Sequence, residues 1–416
     1  MISPTQKIFF GAAVRVVTLA LSLVLGASAA LAQTVAYVTN TFEDTVSVID
    51  TGTNTVTATI PVGFMPFGVA VTPNGARVYV ANFADGTVSV IDTTTNTLAA
   101  TISVPSGAFI IAITPNGAFA YVTGIGIVSV IDTATNTVTA TVPVGTTPIG
   151  IAFTPDGATA YVANNSDTTV SVIDTATNTV VATLNDPPSP GLIAITPNGA
   201  SAYVTNFGSI SAITVIDTAT NTVSGGPITV GDFPFGIDFT PDGALAYVAN
   251  VGSNTVSVLA TSNNTIVATI PVGDSPHGLA VTSDGASAYV VNTFSSNVSV
   301  INTATNTVTA TIPVGLGPSL IALRKTPQDP ISALIAQVEA LISGGNLTQN
   351  QGDGLINKLN QVAAKLAADQ TGAACNQLAA FTNQVQGFIN NHSLTPAQGQ
   401  ALIDAANAVR TNLGCS

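Results

Sequence analysis

Side chains able to do chemistry are few in this sequence, and they are scattered. His277 is the only histidine between residues 33 and 324, set in Ser275-Pro276-His277-Gly278. A neutral imidazole can serve as a general base or a metal ligand. Asp238, in Gly236-Ile237-Asp238-Phe239, stands where the comparable Gly150-Ile151-Ala152-Phe153 has alanine. A carboxylate within an apolar run is either solvated or has its pKa raised by burial. The plainer alternatives are a surface loop histidine and a carboxylate bathed by water. Phe67, Phe83, Phe207, Phe235 and Phe294, with Phe42, Phe64 and Phe233, fall in loop segments. They either plug gaps between packed elements or floor a surface for a protein or glycan, where aromatic anchors are common. Cys375 and Cys415 are the only cysteines. In an exported chain a lone pair reads as a disulfide, with free thiols or a metal pair as the alternative. No Cys-x-x-Cys-His, Gly-x-Ser-x-Gly, phosphate-binding Gly-rich loop or zinc spacing occurs.

The elements that would position these residues come from a repeat. Tyr-Val-x-Asn, or Tyr-Val-Thr-Gly at 121–124, begins at Tyr37, Tyr79, Tyr121, Tyr161, Tyr203, Tyr247 and Tyr289, which are all the tyrosines of the chain. Between tyrosines each period divides into four short runs rich in Val, Ile and Thr. Turn signals such as Thr154-Pro155-Asp156-Gly157 and Asp174-Thr175-Ala176-Thr177-Asn178 separate them. The runs alternate in twos or are wholly apolar, which excludes amphipathic helices. About four strands in about forty residues make one propeller blade.

Seven Tyr-Val-x-Asn strands are present, but an inner strand ending in Asn-Gly or Asp-Gly precedes only six of them. The seventh inner strand is Pro318-Ser319-Leu320-Ile321-Ala322-Leu323, whose partner must be the first strand near Val35 to Thr39. The expected architecture is a seven-bladed β-propeller of four-stranded antiparallel blades, closed by pairing its two ends, over residues 33–324. Closure leaves no long free edge on the inner strands. Pro-x-Gly loops and the loops after Tyr-Val-x-Asn then share one face, where the blades differ. On the other face the Asp and Asn residues read as turn formers, with calcium ligation as the alternative.

These residues resemble the YVTN family of β-propeller repeats, found in surface-layer and other exported proteins. Lactonases and a lyase are related propellers. The resemblance implies a scaffold rather than an activity. Relatives that are enzymes gather several histidines or acidic residues over the channel, and this chain cannot supply a histidine cluster.

After a polar linker at 325–330 the spacing turns helical. Leu334, Ile335, Val338, Leu341 and Ile342 open a first helix, and helices follow at about 349–368, 374–390 and 396–413. Leu347-Thr348-Gln349-Asn350-Gln351-Gly352 recurs as Leu394-Thr395-Pro396-Ala397-Gln398-Gly399, so residues 331–416 read as a duplicated helical hairpin forming a four-helix bundle. It resembles the FIMAH module of secreted proteins. Cys375 and Cys415 would tie the start of the third helix to the end of the fourth.

Composition sets the address. Residues 1–32 read as a signal peptide: Lys7 and Arg15, an apolar run from Val16 to Leu25, then Ala30-Leu31-Ala32. No later run is long enough to span a membrane. Between Gln33 and Leu323 a single base, Arg77, faces sixteen Asp and Glu within a chain of net charge −13. Such a surface repels phosphate backbones, so nucleic acid is not an expected partner. The sequence therefore points to an exported binding module for a protein or glycan of the envelope or matrix, with no cofactor. The alternatives are a lactonase- or lyase-like enzyme acting at the channel mouth through Asp238, His277 and a bound metal, and a structural surface-layer component.

Overall fold

The computed structural model describes residues 35–185, 189–208, 211–324, 330–343, 345–368 and 370–415. The signal peptide read at 1–32 and the linker read at 325–330 lie outside the described residues, apart from Pro330. Among the described residues, seven antiparallel sheets form a propeller. Blade one runs outward through Pro318–Arg324, Val35–Asn40, Thr45–Asp50 and Thr55–Pro61. Its closing pair sets Leu323 opposite Ala36 and Ile321 opposite Val38. Blades two to seven follow in chain order, with inner strands opening at Pro66, Ile111, Pro148, Pro190, Pro234 and Pro276.

Each blade buries both faces of its two middle strands against its neighbours, so these strands are apolar on both sides. Val46, Val48, Ile49 and their counterparts are buried, each worth about 1.5–3 kcal/mol relative to exposure. Ser47 lies buried among them because Asn40 Nδ2 donates to its Oγ at 2.9 Å and to Thr45 Oγ1 at 2.9 Å. Asn82, Asn164, Asn250 and Asn292 repeat the bond to a buried serine. The final residue of Tyr-Val-x-Asn thus clamps its own blade.

Its first residue clamps the next blade. Tyr79, Tyr161, Tyr203 and Tyr247 hydroxyls donate to Asn136, Asn221, Asn264 and Asn306 Oδ1 at 2.6–2.9 Å, and Tyr121 reaches Asn178. Tyr289 reaches Asn54 at 2.7 Å across the closure, and Tyr37 reaches Asn96 at 3.3 Å. Every accepting asparagine ends a Thr-x-Thr-Asn or equivalent turn with φ between 52° and 56°. Asparagine tolerates that left-handed conformation better than other side chains. The tyrosine and the turn asparagine therefore form one device, repeated seven times around the ring.

Two blades depart from the pattern. Blade five splits its outer strand into Thr222–Val223 and Ile228–Thr229, where Gly225, Gly226 and Pro227 interrupt the ladder. Blade three has an inner strand of three residues, Ile111–Ile113. Its loop entry, Val104-Pro105-Ser106-Gly107-Ala108, places Pro-x-Gly three residues further from the following tyrosine than Pro66-Phe67-Gly68 does, so Phe109 falls outside it.

The helices are α1 (Pro330–Ser343), α2 (Gln349–Ala367), α3 (Thr371–Asn390) and α4 (Pro396–Asn412). Helix α3 starts at Thr371, earlier than the Ala374 read from sequence, because Gly372 is accommodated in the first turn rather than ending it. Thr348 with Gln351, and Thr395 with Gln398, form two capping boxes, the physical content of the duplicated Leu-Thr-x-x-Gln-Gly. The glycine that follows admits the preceding helix: a Cβ on Gly352 would meet Ile342, and one on Gly399 would meet Ile389. Leu334, Val338, Leu355, Leu359, Leu378, Phe381, Val385 and Leu402 form the bundle core. Cys375 and Cys415 are joined, with Cα atoms 5.6 Å apart and a sequence separation of 40. Among the described residues no helix is long and apolar enough to cross a membrane.

Candidate functional site

The Pro-x-Gly loops and the loops after Tyr-Val-x-Asn meet on one face. They are knitted pairwise, as in Phe83 N to Met65 O (3.0 Å) and Phe42 N to Leu316 O (3.2 Å). At the centre of this face, second residues of three inner strands, Phe67, Phe235 and His277, converge near the axis. Phe67 of blade two meets Phe235 of blade six edge-on at 6.3 Å, and His277 of blade seven lies 5.2 Å from Phe235 and 6.5 Å from Phe67. Blades two and six are not neighbours, so these rings meet across the ring of blades. Phe235 is 4% exposed. Phe109 of blade three stacks on Phe67 at 4.6 Å and extends the cluster outward to Phe83, at 5.4 Å. Phe207 does the same on the other side, against Phe235 and Phe233. Phe294 stands apart, 77% exposed.

His277 is fixed through its Nδ1, 2.6 Å from Thr293 Oγ1. The Thr293 hydroxyl donates its one proton to Pro318 O at 2.7 Å, so the imidazole must donate from Nδ1. Nε2 then carries the lone pair. Burial among the phenylalanines lowers the pKa to about 4, which keeps the ring neutral at physiological pH. A neutral imidazole held by one nitrogen can accept a proton or a hydrogen bond at the other.

Asp238 lies two residues further along its strand than Gly236, paired in register with Tyr247. Its Oδ1 accepts from Phe239 N at 2.9 Å, and its Oδ2 accepts from Val281 N of blade seven at 2.9 Å. The carboxylate staples the inner strands of blades six and seven together. On the opposite face the aspartates act within their turns. Asp132, Asp174 and Asp217 accept from backbone amides two or three residues on, and those bonds hold their carboxyls below the usual range. Among the described residues no three His, Cys, Asp or Glu side chains gather as a metal site would need.

Phe109 and Thr293 are the members of the cluster that motif reading passes over. Phe109 lacks the Pro-x-Gly signature, although counting back from Tyr121 places it at the same position as Phe67 before Tyr79.

Residues 32–311 match the family model described as lactonase, 7-bladed β-propeller. The chain belongs to this lactonase family. Residues 331–411 match the FIMAH domain model. No curated protein matches the chain. Among solved structures, the propeller is similar to hydrazine synthase of Kuenenia stuttgartiensis, at 25% identity and a TM-score of 0.60, covering 64% of this chain and 92% of that one. It is also similar in fold to a functionally unknown protein from Desulfotomaculum acetoxidans, at 19% identity and a TM-score of 0.61, covering 70% and 98% of the two chains. Within its lactonase fold, this chain brings His277, Phe67 and Phe235 together at the mouth and ties Asp238 into the backbone.

Proposed function

We propose that this lactonase-family propeller is an exported binding module whose loop face recognises a partner in the cell envelope or matrix. One observation carries the reading. Phe42, Phe64, Ile125 and Phe294 are 66%, 62%, 74% and 77% exposed, and all four belong to the loops of one face. Phe83, Phe233, Met65 and Leu316 are exposed beside them. Exposed apolar surface on this scale is costly unless a partner covers it, and aromatic side chains dominate the energetics of such contacts. The central Phe67, Phe235 and His277 cluster supplies a rigid floor. The linked cysteines and the leader-like residues 1–32 support export. The FIMAH domain would then dock the propeller to its surroundings. The test is retention on envelope fractions of the source organism. Replacing Phe83 and Phe294 with serine should abolish retention while the protein stays folded by circular dichroism. Undiminished retention would defeat the reading.

Lactone hydrolysis at the mouth is a second reading, favoured by the family match and by His277 Nε2. There the neutral imidazole would take the proton from a water attacking the lactone carbonyl. Hydrolysis by the native protein that disappears in His277→Ala would establish it.

A further inference from the structure

Blade three breaks the sevenfold pattern, and the break opens a cleft. Where the other six blades end their Tyr-Val-x-Asn strand in asparagine, blade three has Gly124, followed by Ile125 and Gly126. Without the carboxamide, the backbone of the preceding loop moves in: a Cβ on Gly124 would lie 2.7 Å from Ser106 O and 2.8 Å from Gly107 O. Beside this contact is a cleft of about 240 Å³ with walls of Phe83, Phe109, Ile125, Ala108, Pro148 and Thr147. Its lining is rigid where rigidity helps, since Phe109 is stacked on Phe67 and edged by Phe83. The volume falls short of the roughly 300–1,000 Å³ of pockets for drug-sized ligands. It suits one large side chain.

The charge around the cleft has one sign. Asp85, in the loop of Phe83, has its Oδ2 held by Phe64 N at 2.7 Å, and Asp167 is held by Thr146 N, next to Thr147 of the wall. Both carboxylates are exposed. Glu43, Asp44, Asp232 and Asp274 occupy the same face in other blades. The two bases of the described propeller residues, Arg77 and Arg324, lie at the other ends of their strands, and Arg77 is paired there with Asp92.

We propose that this cleft is the anchor site of the loop face, and that it takes one large apolar side chain from a cationic segment of a protein partner. The proposal rests on the loop-face reading and narrows it to a place and a chemistry. The apolar walls would bury the anchor, while lysines or arginines on either side of it would meet Asp85 and Asp167. Such a segment gains affinity from the anchor and orientation from the charges.

The chain contains no tryptophan, so a tryptophan in a peptide probe reports its own burial. Full-length protein is titrated with Lys-Lys-Trp-Lys-Lys, Glu-Glu-Trp-Glu-Glu and Lys-Lys-Ser-Lys-Lys peptides, the last labelled at its terminus. The lysine–tryptophan peptide should bind saturably with a blue-shifted emission, and the other two should bind at least about tenfold more weakly. Ile125→Ser should weaken binding by about tenfold or more, judged by the apolar area lost. Asp85→Asn with Asp167→Asn, which keeps an oxygen for each backbone amide, should weaken it several-fold and flatten its salt dependence. Phe294→Ser, on blade seven, lies outside the cleft and should weaken it less than Ile125→Ser does, while Val181→Ser, on the outer strand of blade four, should leave it unchanged. Circular dichroism and melting confirm that each variant is folded. Equal loss in Phe294→Ser and Ile125→Ser would overturn the anchor site while sparing the loop-face reading. Equal binding of the glutamate peptide would overturn the cationic partner, and so would tight binding of a neutral oligosaccharide with no peptide bound. If envelope retention is lost in the Phe83 and Phe294 variant yet no peptide binds the native protein, the proposal fails and the broader reading stands.

Discussion

The ring of tyrosine clamps makes a demand that two positions can test. Tyr289 donates to Asn54 Oδ1 at 2.7 Å and lies 3.2 Å from Thr51 O, joining blade seven to blade one across the closure. Tyr289→Phe removes only the hydroxyl. Asn54 is half-buried, so water can reach its freed oxygen, and the expected cost is that of one net hydrogen bond, about 1 kcal/mol. Asn54→Gly removes the same bond from the other side and keeps the φ of 54° comfortable. Asn54→Ala removes the bond too but keeps a Cβ in the left-handed region without asparagine's tolerance of it, so it should be about 1–2 kcal/mol worse than glycine. The expected order is therefore alanine worse than glycine at position 54. A double-mutant cycle of Tyr289→Phe with Asn54→Gly should return a coupling of about 1 kcal/mol, because both changes delete one bond. Urea midpoints followed by far-ultraviolet circular dichroism supply the readout. Additive single effects, or alanine no worse than glycine, would refute the reasoning that the turn asparagine is chosen for both its backbone and its oxygen.

Three further outcomes are expected. Burial pushes Tyr79, Tyr121 and Tyr289 up to about 12, against about 10 in the unfolded chain. Their contribution to stability is complete below pH ~10 and is lost as the pH rises toward ~12, because the unfolded chain sheds protons that the folded one keeps. Phenolate absorbance should therefore rise together with unfolding, and smooth titration near pH 10 in the folded protein would contradict this. Reducing Cys375–Cys415 reopens a loop of 40 residues and should cost the helical bundle about 4 kcal/mol. The helical signal should then melt earlier with the β signal unmoved. Gly124→Asn restores the repeat but should destabilise by about 1–3 kcal/mol, since its side chain meets backbone oxygens 2.7–2.8 Å away. A neutral or stabilising result would mean that the blade-three loop can retreat.

The repeat made the fold legible because one period fixes four strands, and counting them forced Leu320 to pair with the first strand. The helical duplication was legible for the same reason, through Thr348 and Thr395. The site was much less so. Phe67 and Phe235 meet across the axis from blades two and six, and no local pattern records so distant a contact. Asp238 stood out as an oddity, but its two backbone donors come from geometry that a sequence does not state. The substitution at Gly124 was visible among the variable loops. The cleft beside it depends on how far Ser106 can approach once a carboxamide is gone.

The most direct test of the central claim, that this propeller works through its loop face, is covalent footprinting of the full-length protein on and off the native envelope. Protection should fall on Phe42, Phe64, Phe83, Ile125 and Phe294 and spare the Thr-Ala-Thr-Asn turns of the opposite face. Protection confined to those turns, or to the helices from 330 to 412, would contradict it.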